Sequence, residues 1–569
     1  MREYIENFIV DYATLERALP PKLSPARFER LRRFFAGWDE TLNDVNFDAL
    51  KPEERVDFLL FRNHLRYEER QLDIQNQRQE EIAPLIPFSA DILNLESDRR
   101  RMEPVDAAQS AATLDGLNVK IQDLMQGIRQ LLDQHCQSSE SDFADAPGSK
   151  IFTKVTTNRA VMATGELTTL LQTWFEYYDG YDPLFSWWVR EPFNVVRKAL
   201  DEYVAFLRET FLGVTPNAEK VKDQKIKNVK SDDEIIIGDP IGREALLNEL
   251  SHELIPYTPE ELIAIGDREF AWCEAEMIKA AGALGYGEDW HAALEFVKTR
   301  HVEPGAQTVL VRDLALEAME FVESRQLVTI PELARECWRM EMMSPERQKV
   351  SPFFLGGEVI IVSFPTDSMS DTRKRMSLRG NNRHFARATV QHELIPGHHL
   401  QLYMADRFRT HRRLFHTPFY VEGWTLHWEM LLWELDFAQS PEGRIGMLFW
   451  RMHRCARIRF SLRFHLGEMT PQECIDLLVT QIGHERENAI AEVRRSFGDE
   501  YPPLYQCAYL IGGLQMHALY RELVESGAMS ARSFHDRVLE QNAIPIEMLR
   551  ACLKEQDLPL DYMASWRFA

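Results

Sequence analysis

The chain has 569 residues, with 66 Lys+Arg against 89 Asp+Glu, a net charge of −23 and a pI near 5.3. Hydrophobic residues make up 45%, and Gly and Pro number 27 each, so the chain is globular and long enough for two or more domains or lobes. The acidic balance argues against a nucleic-acid partner, which needs a basic face to displace counterions from phosphate, and against a polybasic membrane anchor.

No run approaches the roughly 18 apolar residues of a membrane-spanning helix. The start, MREYIENFIVDYATLERAL, lacks the basic region, apolar run and cleavage site of a secretory leader. Cytoplasmic is therefore the default expectation, with a periplasmic or secreted location if a leader was removed. The seven cysteines are scattered and form no CxxC, which fits free thiols. A bound zinc ion must then be held by His and carboxylates.

In chain order, residues 25–75 read as two or three amphipathic helices, because Phe28, Leu31, Phe34, Phe35 and Trp38 recur three to four apart. Segment 104–135 continues the pattern, and 138–150 reads as a loop from its Ser, Asp, Pro and Gly content. Residues 157–212 are helical and aromatic-rich. The polar stretch 216–235 marks a boundary between an N-terminal helical lobe, 1–230, and a C-terminal helical lobe, 231–569. Thr258-Pro-Glu-Glu-Leu262 is a helix start, with a capping Thr, Pro in the first turn and two Glu facing the helix dipole. GGEVIIVSFP (356–365) reads as a strand, either a plain core strand or an edge that pairs with extended substrate.

The chemistry concentrates in ATVQHELIPGHHLQLYMADRF (388–408). A zinc-protease helix carries H-E-x-x-H, two His one turn apart on one face. Here the fourth residue after His392 is Pro396. On a regular helix His398 stands about 9 Å along and about 120° round from His392, so the two cannot share an ion. Pro396 removes a helical donor and clashes with the His392 carbonyl, and Gly397 tolerates unusual backbone angles. Bulging two residues out brings His398 to the second-ligand position, in preference to His399. Glu393 is then the base that takes the proton of the attacking water. His252-Glu253 and His484-Glu485 repeat the dipeptide without a following histidine and read as structural.

The third ligand is sought in FYVEGWTLHWEMLLWELDF (419–437), an amphipathic helix that Tyr420, Trp424, Leu426, Trp428 and Leu431 make a buried one, where an unpaired Glu is costly. Glu422 lies 24 residues after His398, and a Glu on a second helix is the glutamate-type zincin arrangement. Glu429 is the alternative ligand, or a carboxylate that orients a histidine.

HELIPGHHLQ followed by EGWTLHWE resembles the mainly bacterial family catalogued as domain of unknown function 885, grouped with the gluzincin metallopeptidases. Its pattern is similar to H-E-x-x-P-G-H-x-x-Q and E-G-W-x-x-x-x-E, and the likeness covers most of the chain. The resemblance implies zinc at His392, His398 and Glu422, with Glu393 as base. It also points to Tyr509, in Tyr-Leu-Ile-Gly, and Arg495 as groups that stabilise the oxyanion or hold a substrate carboxylate, and to His465. Two positions depart from the family: Ser496 replaces a Tyr and Ser461 an Asp.

Between 371 and 413, ten Lys/Arg face three Asp/Glu, which either draws in an anionic substrate or is paired internally. The expected architecture is a mainly α, two-lobed zincin-like fold with a small sheet beside the active-site helix. The expected activity is zinc-dependent hydrolysis of short peptides, carboxypeptidase- or dipeptidase-like. The alternatives are a zinc amidohydrolase acting on a non-peptide amide and a non-catalytic helical scaffold with a relic motif.

Overall fold

Apolar residues at helical spacing make the described residues mainly helical. The computed structural model describes residues 1–135, 152–214, 235–348, 353–498 and 501–569. The expected loop at 138–150, and the expected boundary at 216–235 apart from its last residue, lie outside them.

The described chain forms two compact units. One comprises residues 10–41 and 68–239. Its core is built by α1 (Ala107–His135), α2 (Lys154–Tyr178) and α3 (Pro183–Leu207). Leu114 and Ile121, Leu167 and Trp174, and Phe185 and Val189 are buried there, each pair spaced for one helical face. Asp182 starts α3 by accepting from the amides of Leu184 and Phe185, with Pro183 in the first turn.

The other unit comprises residues 1–9, 42–67 and 240–569. The division is thus discontinuous, unlike the contiguous expectation of 1–230 and 231–569. A buried ion-pair group explains the return of 42–67: the Asp57 carboxylate accepts from Arg412 Nε at 2.7 Å and lies 3.0 Å from His411 Nε2.

In this unit α4 (Pro259–Ala283) starts on the expected signal. The Thr258 hydroxyl accepts from the Glu261 amide, and the Glu261 carboxylate accepts from the Thr258 amide. After α5 (Gln307–Ser324), the short strands β1 (Arg339–Met342) and β2 (Val359–Val362) pair in parallel, Arg339 opposite Val359. Ile361 also exchanges two backbone hydrogen bonds with Leu355, so the outer edge of β2 is covered there and does not offer the open substrate edge expected.

Ile360 and Val362 share a core with Ala386, Val390 and Leu394, which sets the sheet beside α6 (Arg383–Glu393). There follow α7 (His398–Ala405), α8 (Pro418–Glu434), α9 (Pro441–His465), α10 (Arg486–Phe497), α11 (Tyr505–Tyr520) and α12 (Ala531–Leu539). Thr417 caps α8, and its hydroxyl donates to the buried Glu253 carboxylate. Burial pushes Glu253 up to about 8. His252 stacks on Tyr67 at 3.9 Å, so the decoy His252-Glu253 does structural work.

Candidate metal centre

The helix stops where the sequence says it must. Leu394 turns out at φ −107° and ψ −110°, while its amide still bonds the Val390 carbonyl. The Gly397 amide returns to the Gln391 carbonyl at 3.1 Å, and α7 begins at His398. Ile395 and Pro396 are looped out between two helices, not bulged within one. A Cβ on Gly397 would overlap the His392 carbonyl, so only glycine fits this approach.

The loop-out brings the His392 and His398 rings to 4.9 Å, at 86° to each other. Glu422 on α8 completes the group, its Oε2 lying 3.4 Å from His392 Nε2 and 3.3 Å from His398 Nε2. Oε2 is buried and has no hydrogen-bond partner among the described residues, whereas Oε1 accepts from the Tyr505 hydroxyl at 2.5 Å. His392 Nδ1 donates to Glu429 Oε1 at 2.7 Å, and Arg454 Nη2 donates to the same oxygen at 3.3 Å. Glu429 therefore orients His392, which presents Nε2 to Glu422.

His399 turns away, its ring nitrogens 3.2 Å from the Glu358 carbonyl and 3.0 Å from that of Ala334. Glu393 has a carboxylate oxygen within 4.8 Å of a ring nitrogen of His392 and of His398.

The charges of the cluster shift one another. Burial opposes charge on His392, yet Glu422 and Glu429 on its two sides outweigh burial and lift it to about 9. Burial likewise opposes ionisation of Glu422, but His398 and His392 hold its carboxyl well below the usual range. For Glu393 burial dominates and raises it.

The remaining motif letters build this geometry. Trp424 Nε1 donates to the Pro396 carbonyl at 2.9 Å and pins the loop-out to α8. A Cβ on Gly423 would stand 2.6 Å from the Gly512 carbonyl carbon, and one on Gly512 would overlap the Phe419 carbonyl, so α8 and α11 touch through these glycines. The Gln401 amide reaches the Tyr420 and Val421 carbonyls at 3.4 Å.

Tyr509 on α11 lies near-parallel to His392, ring centres 6.2 Å apart. Arg495 Nη2 donates to its hydroxyl at 3.3 Å, and the Arg454 and Arg457 guanidinium groups stand 4.8 and 4.2 Å from its ring centre. Glu492 accepts from Arg457 Nε at 2.7 Å, and Glu492 Oε1 stands 3.6 Å from His453 Nε2. His453 and His484 are joined at 2.9 Å. Tyr509 thus lies beside the cluster, and Arg495 meets it through Tyr509. His465 sits at the end of α9, three turns or about 16 Å beyond Arg454, against Phe464 and Phe497. Ser496 bonds the Glu492 carbonyl within its own helix, and Ser461 lies 3.5 Å from Cys507.

Arg454, Glu492 and Tyr505 went unassigned in the sequence. Tyr505 lies one helical turn before Tyr509 on the same face, and that spacing was the available signal. Several arginines of the basic segment are paired internally: Arg379 with Glu295 and Glu485, Arg387 with Glu317, and Arg412 with Asp57.

The fold and cluster define a mainly helical protein with a buried two-His, one-Glu candidate metal centre. The chain belongs to the family described as bacterial protein of unknown function (DUF885), which matches residues 11–553. No curated protein matches. Among solved structures, the chain is similar to a candidate lipoprotein of unknown function from Shewanella oneidensis, with a TM-score of 0.64 and 16% identity. That likeness covers 97% of this chain and 99% of the other. A candidate lipoprotein from Colwellia psychrerythraea matches 71% of this chain and 70% of its own, at 18% identity and a TM-score of 0.49. Among the described residues no helix is long and apolar enough to cross a membrane.

Proposed function

We propose that this chain is a gluzincin-type, zinc-dependent hydrolase of short peptides, with carboxypeptidase- or dipeptidase-like action. One observation carries the reading: a Glu422 oxygen without a hydrogen-bond partner among the described residues stands 3.3 and 3.4 Å from two imidazole nitrogens. Tetrahedral ligand atoms about 2.05 Å from zinc stand about 3.3 Å apart, because a tetrahedron's edge is about 1.6 times its centre-to-corner length. The two Glu422-to-histidine edges match that length, and His392, His398 and Glu422 would hold the ion, leaving a fourth position open.

When bound, zinc supplies Lewis acidity, polarising a carbonyl and making water more acidic near neutral pH. The Glu393 carboxylate takes the proton of the attacking water and passes it to the amide nitrogen as the C–N bond breaks. A carboxylate and an amine result. The Tyr509 hydroxyl, held by Arg495, donates to the carbonyl oxygen as it gains charge. Arg495, with a side chain 10% exposed, offers a guanidinium for a peptide's C-terminal carboxylate. The burial of His392 and Glu422 favours short substrates over folded proteins. Because the Shewanella protein is described as a candidate lipoprotein, we propose an exported location for this chain in place of the cytoplasmic default.

The test is metal analysis combined with short peptides bearing free or amidated C-termini. Cleavage of free-carboxylate peptides that a chelator abolishes and zinc restores supports the reading. Turnover of non-peptide amides alone moves it to an amidohydrolase. A purified protein without zinc and unable to take it up overturns it.

A further inference from the structure

Glu422 offers its two oxygens to different partners. Oε2 faces His392 and His398, while Oε1 accepts from the Tyr505 hydroxyl at 2.5 Å. A carboxylate can ligate through one oxygen or both. An oxygen that accepts a short hydrogen bond commits one of its two lone pairs to the donor and is turned toward it, which disfavours its sharing an ion. The number of protein ligand atoms, and so whether a coordination position stays open for water, depends on that engagement.

Tyr505 is itself held. It is the first residue of α11, partly exposed, with its ring edge-on to Tyr509 at 5.6 Å. The Tyr501 ring centre lies 4.4 Å away, and the Arg495 guanidinium stands 5.9 Å from the Tyr505 ring centre. The hydroxyl is therefore delivered to Glu422 by a braced ring at the end of a helix.

We infer that Tyr505 is a positioning residue that keeps Glu422 a one-oxygen ligand and so keeps the fourth metal position open. It acts through Glu422, without a role in proton transfer. The inference rests on the metal reading above, and its test separates the two.

Wild type, Tyr505→Phe and Tyr501→Phe are compared in the full chain by chelator competition for zinc and by the visible absorption of the cobalt(II)-loaded protein. Phe keeps the ring and its packing, so folding is preserved, as a thermal melt verifies. Loss of an outer partner of a metal ligand typically weakens metal affinity 10- to 100-fold. Tyr505→Phe is expected to weaken zinc by about tenfold or more. It should also lower cobalt absorption intensity, as a second carboxylate oxygen raises the coordination number. Tyr501→Phe should leave both readouts at wild-type values.

Zinc affinity within about twofold of wild type together with an unchanged cobalt spectrum in Tyr505→Phe overturns the inference alone. An equal effect from Tyr501→Phe assigns the change to the aromatic wall and also overturns it. A wild type that takes up neither ion overturns the metal reading, and this one with it.

Discussion

Trp424 Nε1 donates to the Pro396 carbonyl at 2.9 Å, joining the two motifs of the site through one hydrogen bond. Trp424 sits two residues after Glu422, and Pro396 two before His398, so the bond fixes α8, which carries Glu422, against the loop-out that delivers the second histidine. Trp424→Phe removes the donor and leaves a buried carbonyl unpaired. The expected loss is about 1–3 kcal/mol of stability, with zinc affinity weakened about tenfold. Denaturant unfolding and chelator competition measure the two effects.

Replacing Glu393 by Gln keeps its shape and removes the base. Turnover should fall about 10²- to 10⁴-fold, the range for one general acid–base group, with zinc stoichiometry unchanged. Retained activity would remove Glu393 from the proposed chemistry.

Metal uptake should depend on pH with a definite sign. His392 is lifted to about 9 because the two carboxylates outweigh burial. An ion displaces that proton, so below about 9 zinc affinity should fall about tenfold for each unit of acidification. Calorimetry in buffers of different ionisation enthalpy reads the released proton.

Acid should destabilise the fold through other histidines. Burial lowers His64, His453 and His535 to about 3 from an ordinary 6.5. Below 6.5 the unfolded chain binds protons that the folded chain refuses. The stabilisation is present above about 6.5 and is lost as pH falls toward about 3, at about 1.4 kcal/mol per pH unit for each histidine. Urea midpoints at pH 7 and pH 5 measure the loss.

The contact between α8 and α11 leaves no room for a methyl group. Gly512→Ala drives a Cβ into the Phe419 carbonyl and should cost about 1–3 kcal/mol or more. A melting temperature equal to wild type would contradict the packing described.

Much of the site was legible because its constraints are local. A proline four residues after His392 breaks any helix there, and only a looped-out backbone then brings His398 near. The helix start at Thr258 and the strand at 359–362 follow equally from short-range capping and β-branched runs. Long-range choices were not legible. Glu422 and Glu429 share a helix and differ by one heptad, so spacing alone left both as ligand candidates. Tertiary packing places them differently, with Glu429 against His392 Nδ1 and Glu422 against both Nε2 atoms. It also pairs basic-segment arginines with distant acids and brings Tyr505, which no motif marked, onto Glu422. Local sequence determines where a backbone must turn. Which buried polar groups meet depends on partners far apart in the chain, and only the folded protein selects them.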